Sequence, residues 1–94
     1  MSVTMYDLEF TDDAYEDVAY LRRTEPAAYR KLEILLTELM ISPRVGTGRV
    51  EMMKYGYKGC YSRRITKKHR LVYTIEDRVL KVLVLSAYGH YIDK

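Results

Sequence analysis

The chain has 94 residues, 48% of them hydrophobic, one cysteine and a formal net charge of +3 at pH 7. That length makes one domain, burying roughly 60–65% of the surface its unfolded state exposes. A lone Cys60 excludes an internal disulfide, and with only two histidines beside it no soft-ligand zinc cluster can form.

No metal or other cofactor is therefore expected, and cysteine usage fits a reducing compartment. The N-terminus lacks the basic flank and apolar run of a signal peptide, and no apolar run approaches a membrane span, so the cytoplasm is the expected location. Charge is divided along the chain. Residues 1–41 carry nine acidic and four basic side chains, a balance of −5, whereas residues 42–94 carry four acidic and twelve basic ones, a balance of +8. An electropositive working face suits nucleic acid, although an unevenly charged solvated surface explains the same count.

Residues 5–10 alternate weakly and predict a short first strand. Thr11 offers a hydroxyl N-cap, with Asp12 and Asp13 in the first helical turn. Ala14, Val18 and Leu21 then mark one apolar stripe of a helix ending near Arg23. Thr24 is the expected cap of a second helix opening on Glu25-Pro26, with Ala28, Leu32, Leu35, Leu36, Leu39 and Met40 on its apolar face. Ser42-Pro43 ends it. Residues 44–59 hold four glycines and are read as mainly loop.

From Cys60 the period changes to two, predicting strands at 60–66, 69–76 and 79–86, the last two joined by a turn near Glu76-Asp77-Arg78. Both parities of 79–86 are apolar, which suits an interior strand covered by helices on one side. The order β-α-α-β-β-β predicts a single α+β domain over residues 1–94, a helical hairpin packed on an antiparallel sheet.

The chemistry concentrates in Ser62-Arg63-Arg64-Ile65-Thr66 and His69-Arg70-Leu71-Val72-Tyr73. Arg64 shares parity with Ser62 and Thr66, and Arg70 opposes the parity of Leu71, Tyr73 and Ile75, so both belong to the less apolar face of adjacent strands. Two forked guanidinium groups there can bridge one phosphate. Arg63, on the other parity, can contact an RNA backbone, pack against a neighbour or snorkel. A histidine near the terminus, His90, can move protons at neutral pH. His69 begins a strand and is read as making a structural hydrogen bond, Tyr61 as packing, and Cys60 as inert core.

These two runs, with the terminal His90-Tyr91, resemble the YoeB/Txe family of toxins from bacterial toxin–antitoxin pairs, within the RelE-like superfamily. The resemblance spans nearly the whole chain. It implies a RelE-like, microbial-ribonuclease-like fold and an endoribonuclease that enters the ribosomal A site and cuts messenger RNA there. It also implies restraint by a partner antitoxin of the YefM/Axe kind.

Metal-independent RNA cleavage needs a base for the 2′-hydroxyl, cations around phosphorus and an acid for the departing 5′-oxygen. It leaves a 2′,3′-cyclic phosphate or 3′-phosphate and a 5′-hydroxyl. Glu51 falls at the family's base position and is the one acidic residue between Glu38 and Glu76. Cations at Arg44, Arg49, Lys54 and Lys58 surround it in sequence. Arg64 and Arg70 become the phosphate clamps and His90 the general acid. Tyr91 is suited to stacking on a base or orienting the phosphate. Arg49, Lys54, Arg63, Lys67 and Lys68 are the expected RNA contacts. The outer edge of the second helix can hold an antitoxin segment or a second subunit. The competing reading is a non-catalytic RelE-like binder of protein or nucleic acid, which needs neither Glu51 nor His90-Tyr91.

Overall fold

The Thr11 hydroxyl accepts the Ala14 backbone N–H at 3.1 Å, starting the first helix where the cap rule puts it. The structure, a computed structural model, describes residues 5–53 and 59–89. Strand β1 is Asp7–Phe10 and helix α1 is Asp12–Thr24, with Asp12 and Asp13 in its first turn and Arg22 and Arg23 in its last. Helix α2 is Pro26–Ile41.

Thr24 does not cap α2 as expected. It remains the last residue of α1, its hydroxyl donating back to the Tyr20 carbonyl at 2.8 Å. The break falls instead at Glu25, at φ −139° and ψ 75°, because a residue before proline is pushed out of the helical region. The Glu25 side chain caps nothing and is left available for a distant partner.

Strands β2 (Glu51–Met52), β3 (Tyr61–Arg64), β4 (Arg70–Glu76) and β5 (Lys81–Ser86) complete one sheet in the order β1-β5-β4-β3-β2. A short 3₁₀ turn, Asp77–Val79, joins β4 to β5 at the expected turn. The α+β class and the hairpin-on-sheet arrangement hold, with two differences. First, β1 runs parallel to β5, Asp7 beside Lys81 through Phe10 beside Val84, so the sheet is mixed. The two helices carry the chain from β1 to β2 at the opposite edge of the sheet, and β3 and β4 lead back so that β5 inserts between β1 and β4. Second, part of the expected loop extends β3 as a two-residue edge strand.

The helices cover one face of this sheet. Ala14, Leu21, Ala28, Leu32, Leu35 and Leu39 meet Ile65, Leu71, Tyr73, Val82, Val84 and Ala87 in the main core. Each fully buried leucine contributes about 1.5–3 kcal/mol. On the opposite face Met53, Cys60 and Val72 form a smaller cluster with Leu85. Burial there raises the Cys60 thiol above its ordinary pKa, consistent with an inert core residue. No helix among the described residues is long and apolar enough to cross a membrane.

Arg63 overturns its assignment as an RNA contact. It faces the helices, is fully buried, and has no surface to offer. Its Nε donates to the Tyr73 hydroxyl at 3.1 Å and its Nη1 to Glu38 Oε1 at 2.8 Å. Its Nη2 donates to the carbonyls of Ser42 at 2.7 Å and Val45 at 2.9 Å. Tyr73 in turn donates to the Pro43 carbonyl at 2.7 Å. A buried charge must be paired and hydrogen-bonded, and Arg63 meets that demand by strapping the loop after α2 onto the sheet.

Candidate active site

Side chains two apart on a strand share a face, so Ser62 and Arg64 of β3 project together from the face that the helices leave open. The β3–β4 register sets Arg64 directly opposite Arg70, and the β2–β3 register sets Glu51 opposite Ser62. Three strands therefore deliver Glu51, Ser62, Arg64 and Arg70 to one patch. Arg70 Nη1 donates to Ser62 Oγ at 3.0 Å and lies 3.6 Å from Glu51 Oε1. Ser62 is buried, the Arg70 side chain is 20% exposed and that of Glu51 is 51% exposed. The patch thus grades from a buried hydroxyl, through a half-buried guanidinium, to a carboxylate open to solvent.

Like charges directly opposite across a ladder are unfavourable. One carboxylate beside Arg70 relieves part of that repulsion, and a bound phosphate would relieve the rest. Ser62 joins the site as a residue that sequence reasoning misses. Its parity with Arg64 is visible along the chain, but its hydrogen bond to Arg70 depends on the pairing of two strands.

Local backbone geometry brings Glu51 here. Gly48 and Arg49 take φ values of 90° and 58° in succession, and the Gly48 carbonyl accepts the Arg64 backbone N–H. A Cβ at position 48 would meet the Arg64 carbonyl oxygen at 2.9 Å. Glycine is needed both for the positive φ and for that close approach. The chain then enters β2 with Arg49 exposed at its start.

Lys67 and Lys68 are exposed on the turn between β3 and β4. The Thr66 hydroxyl holds that turn by accepting the backbone N–H groups of Lys68 and His69, each at 3.1 Å. Arg44, one of the cations near Glu51 in sequence, is instead engaged by Asp77 through two hydrogen bonds of 3.0 and 2.8 Å. That pairing, the side-chain hydrogen bond foremost, holds the Asp77 carboxyl below its ordinary pKa. Lys54, His90 and Tyr91 lie outside the described residues.

The approach to position 90 is nonetheless defined. The Gly89 carbonyl accepts the Arg70 backbone N–H at 2.7 Å, and the Gly89 N–H donates to His69 Nδ1 at 2.8 Å. The residue covalently preceding His90 is therefore fastened to the strand that carries Arg70. His69 makes the structural hydrogen bonds expected of it and is only 3% exposed. Among the described residues, no three His, Cys, Asp or Glu side chains gather in a way that could hold a metal ion.

Residues 10–91 match the family described as the YoeB-like toxin of bacterial type II toxin–antitoxin systems. The Toxin YoeB of Synechocystis sp. is 33% identical over 84 residues, covering 89% of this chain and 95% of that protein. Among solved structures, the YoeB/ParE toxin from Agrobacterium tumefaciens superposes with a TM-score of 0.84 at 29% identity, covering 90% of this chain and 99% of the other. The heterotetrameric YoeB–YefM toxin–antitoxin complex from Staphylococcus aureus gives 0.79 at 32% identity, covering 92% and 98%. The YoeB dimer from the same organism gives 0.81 at 32% identity, covering 93% and 99%.

Proposed function

This chain belongs to the YoeB-like toxins of bacterial type II toxin–antitoxin systems, and from that premise we propose that it is a ribosome-dependent endoribonuclease that cuts messenger RNA in the A site. The carboxylate of Glu51 takes the proton of a 2′-hydroxyl, and the freed oxygen attacks the adjacent phosphorus. Arg64 and Arg70 hold the non-bridging oxygens as charge builds on them. The bond from phosphorus to the 5′-oxygen breaks, and His90 gives that oxygen its proton. The products are a 2′,3′-cyclic phosphate, open to hydrolysis to a 3′-phosphate, and a 5′-hydroxyl. No metal takes part in this scheme. Arg49, Lys54, Lys67 and Lys68 position the message or ribosomal RNA, and Tyr91 stacks on a base or orients the phosphate.

The observation that supports this reading most is the Arg64–Arg70 pair with a carboxylate 3.6 Å from Arg70. Two paired arginines beside one acid form an anion site with a proton acceptor at its edge.

Mapping RNA 5′ ends on translating ribosomes, with and without a chelator, tests the reading. New 5′-hydroxyl ends that survive chelation, and fall sharply in Glu51→Gln and His90→Gln, are the expected result. A protein that binds without leaving new ends would be the non-catalytic binder, and equal cutting by both variants would remove the assigned roles.

The partner is an antitoxin of the YefM kind, with a segment that folds on binding and occludes position 90. A second copy of the chain is a further partner, as in the Staphylococcus aureus dimer. The proposed activity puts the protein in the cytoplasm with the ribosomes. Hydrogen exchange of the toxin–antitoxin complex should show protection over residues 86–94, and its absence would argue against occlusion.

A further inference from the structure

His69 does more than fill a strand end. Its Nε2 lies 2.9 Å from Glu25 Oε2, and its Nδ1 accepts the Gly89 N–H at 2.8 Å. A backbone N–H can only donate, so Nδ1 must carry a lone pair and Nε2 must carry the proton, donated to Glu25. One tautomer alone satisfies both partners. Glu25 is free for this task because Pro26 breaks the helix at that residue.

The segment around that contact is tied down residue by residue. The Ala87 N–H donates to Asp17 Oδ2 at 3.0 Å. The Tyr88 ring lies 4.7 Å from the His69 ring and meets Tyr20 edge-on at 4.9 Å. Gly89, at φ 70°, turns the chain and accepts the Arg70 N–H at 2.7 Å. His69 is adjacent to Arg70 in sequence, and Gly89 is adjacent to His90. One imidazole thus links the phosphate clamp to the segment leading into the proton donor.

We propose, resting on the nuclease reading, that His69 is a positioning residue: oriented by Glu25, it latches Gly89 so that Arg70 and His90 address the same phosphate. It touches neither substrate nor the reacting atoms. Its contribution is geometric, and geometric errors of about 1 Å cost on the order of 100-fold in rate.

The two ring nitrogens allow a discriminating test. The oxygen of asparagine reaches roughly where Nδ1 stands, so His69→Asn keeps an acceptor for Gly89. Glutamine reaches Glu25 in place of Nε2, so His69→Gln keeps that bond and leaves Gly89 unlatched. On ribosome-bound message, His69→Gln is expected to lose about 100-fold in kcat with KM for ribosomes unchanged within about twofold, while His69→Asn stays within about fivefold of wild type. In the free protein, the Gly89 amide should lose hydrogen-exchange protection in His69→Gln and keep it in His69→Asn. Amides of β4 and β5 should stay protected in both, which reports an intact fold.

Wild-type kcat in His69→Gln, a Gly89 amide still protected in that variant, or equal impairment of both variants would overturn the latch. A wild-type protein that cuts nothing would overturn the nuclease reading instead, and the Gly89 exchange alone would then decide whether the latch exists.

Discussion

Arg64 and Arg70 stand directly opposite each other across the β3–β4 ladder, a pairing that fold stability alone does not favour. Like charges in register repel, and only one carboxylate, Glu51, lies within salt-bridge reach of Arg70 among the described residues. Removing one charge should therefore separate stability from function. Arg64→Gln is expected to raise unfolding free energy by about 0.2–1 kcal/mol. The same change should lower cleavage of ribosome-bound RNA by about 100- to 1,000-fold, the usual cost of losing one charge-stabilising donor. Denaturant unfolding and a cleavage assay on the same sample check both, and a variant that is less stable yet fully active would contradict the argument.

Ser62, itself buried, accepts a hydrogen bond from the Arg70 guanidinium. Ser62→Ala should cost about 1 kcal/mol or less, since the guanidinium freed by the change can still reach water or Glu51. Cleavage should fall about tenfold through kcat, because the clamp is present but less well held. A rise in KM with unchanged kcat would instead make Ser62 a simple binding contact.

Gly48→Ala strains a backbone at φ 90° and sets a methyl 2.9 Å from the Arg64 carbonyl oxygen. A positive φ alone costs a residue with a side chain roughly 1–2 kcal/mol. Since Gly48 hydrogen-bonds to β3 just before Glu51 enters the edge strand, activity should fall with stability. Thermal unfolding together with cleavage at a temperature where the variant is fully folded distinguishes the two effects.

The buried Arg63 makes acid stability depend on Glu38. The Thr47 hydroxyl and backbone N–H, followed by the charge of Arg63, hold the Glu38 carboxyl below its ordinary pKa. A lowered folded pKa stabilises the protein fully above the unfolded value of about 4.3, and that stabilisation fades as pH falls through the folded value. Glu38→Gln removes the counter-charge of a buried guanidinium that keeps its carbonyl acceptors, and the carboxylate is partly exposed, so a loss of about 1–2 kcal/mol is expected at pH 7. The gap between wild type and variant should hold down to about pH 5 and narrow below about pH 4. Melting curves across that range check the sign, and a gap that widened on acidification would reject the pairing as the cause.

Helix and strand positions are legible in the sequence because periodicity is a local property. Thr11, the leucines of α2 and the alternation after Cys60 each announce their element through near neighbours along the chain. The same parity rule puts Arg64 and Arg70 on one face before any strand is paired. It also puts Arg63 on the opposite parity, but it names no partner for a charge there, so packing, snorkelling and an RNA contact all stay open until the fold makes Arg63 the buried strap of the main core.

Residue order alone thus specifies the two helices, the long strands, their succession and the sidedness of those strands, since backbone geometry ties side-chain direction to position, but it leaves the two-residue β2 hidden in a glycine-rich loop. Which strands meet, and in which direction, is settled only when the chain packs. That choice made β1 parallel to β5, lifted Glu51 onto an edge strand, turned Ser62 toward Arg70 and joined Glu25 to His69 across 44 residues of chain. Such contacts arise from burying one shared core, and no stretch of neighbouring residues encodes them.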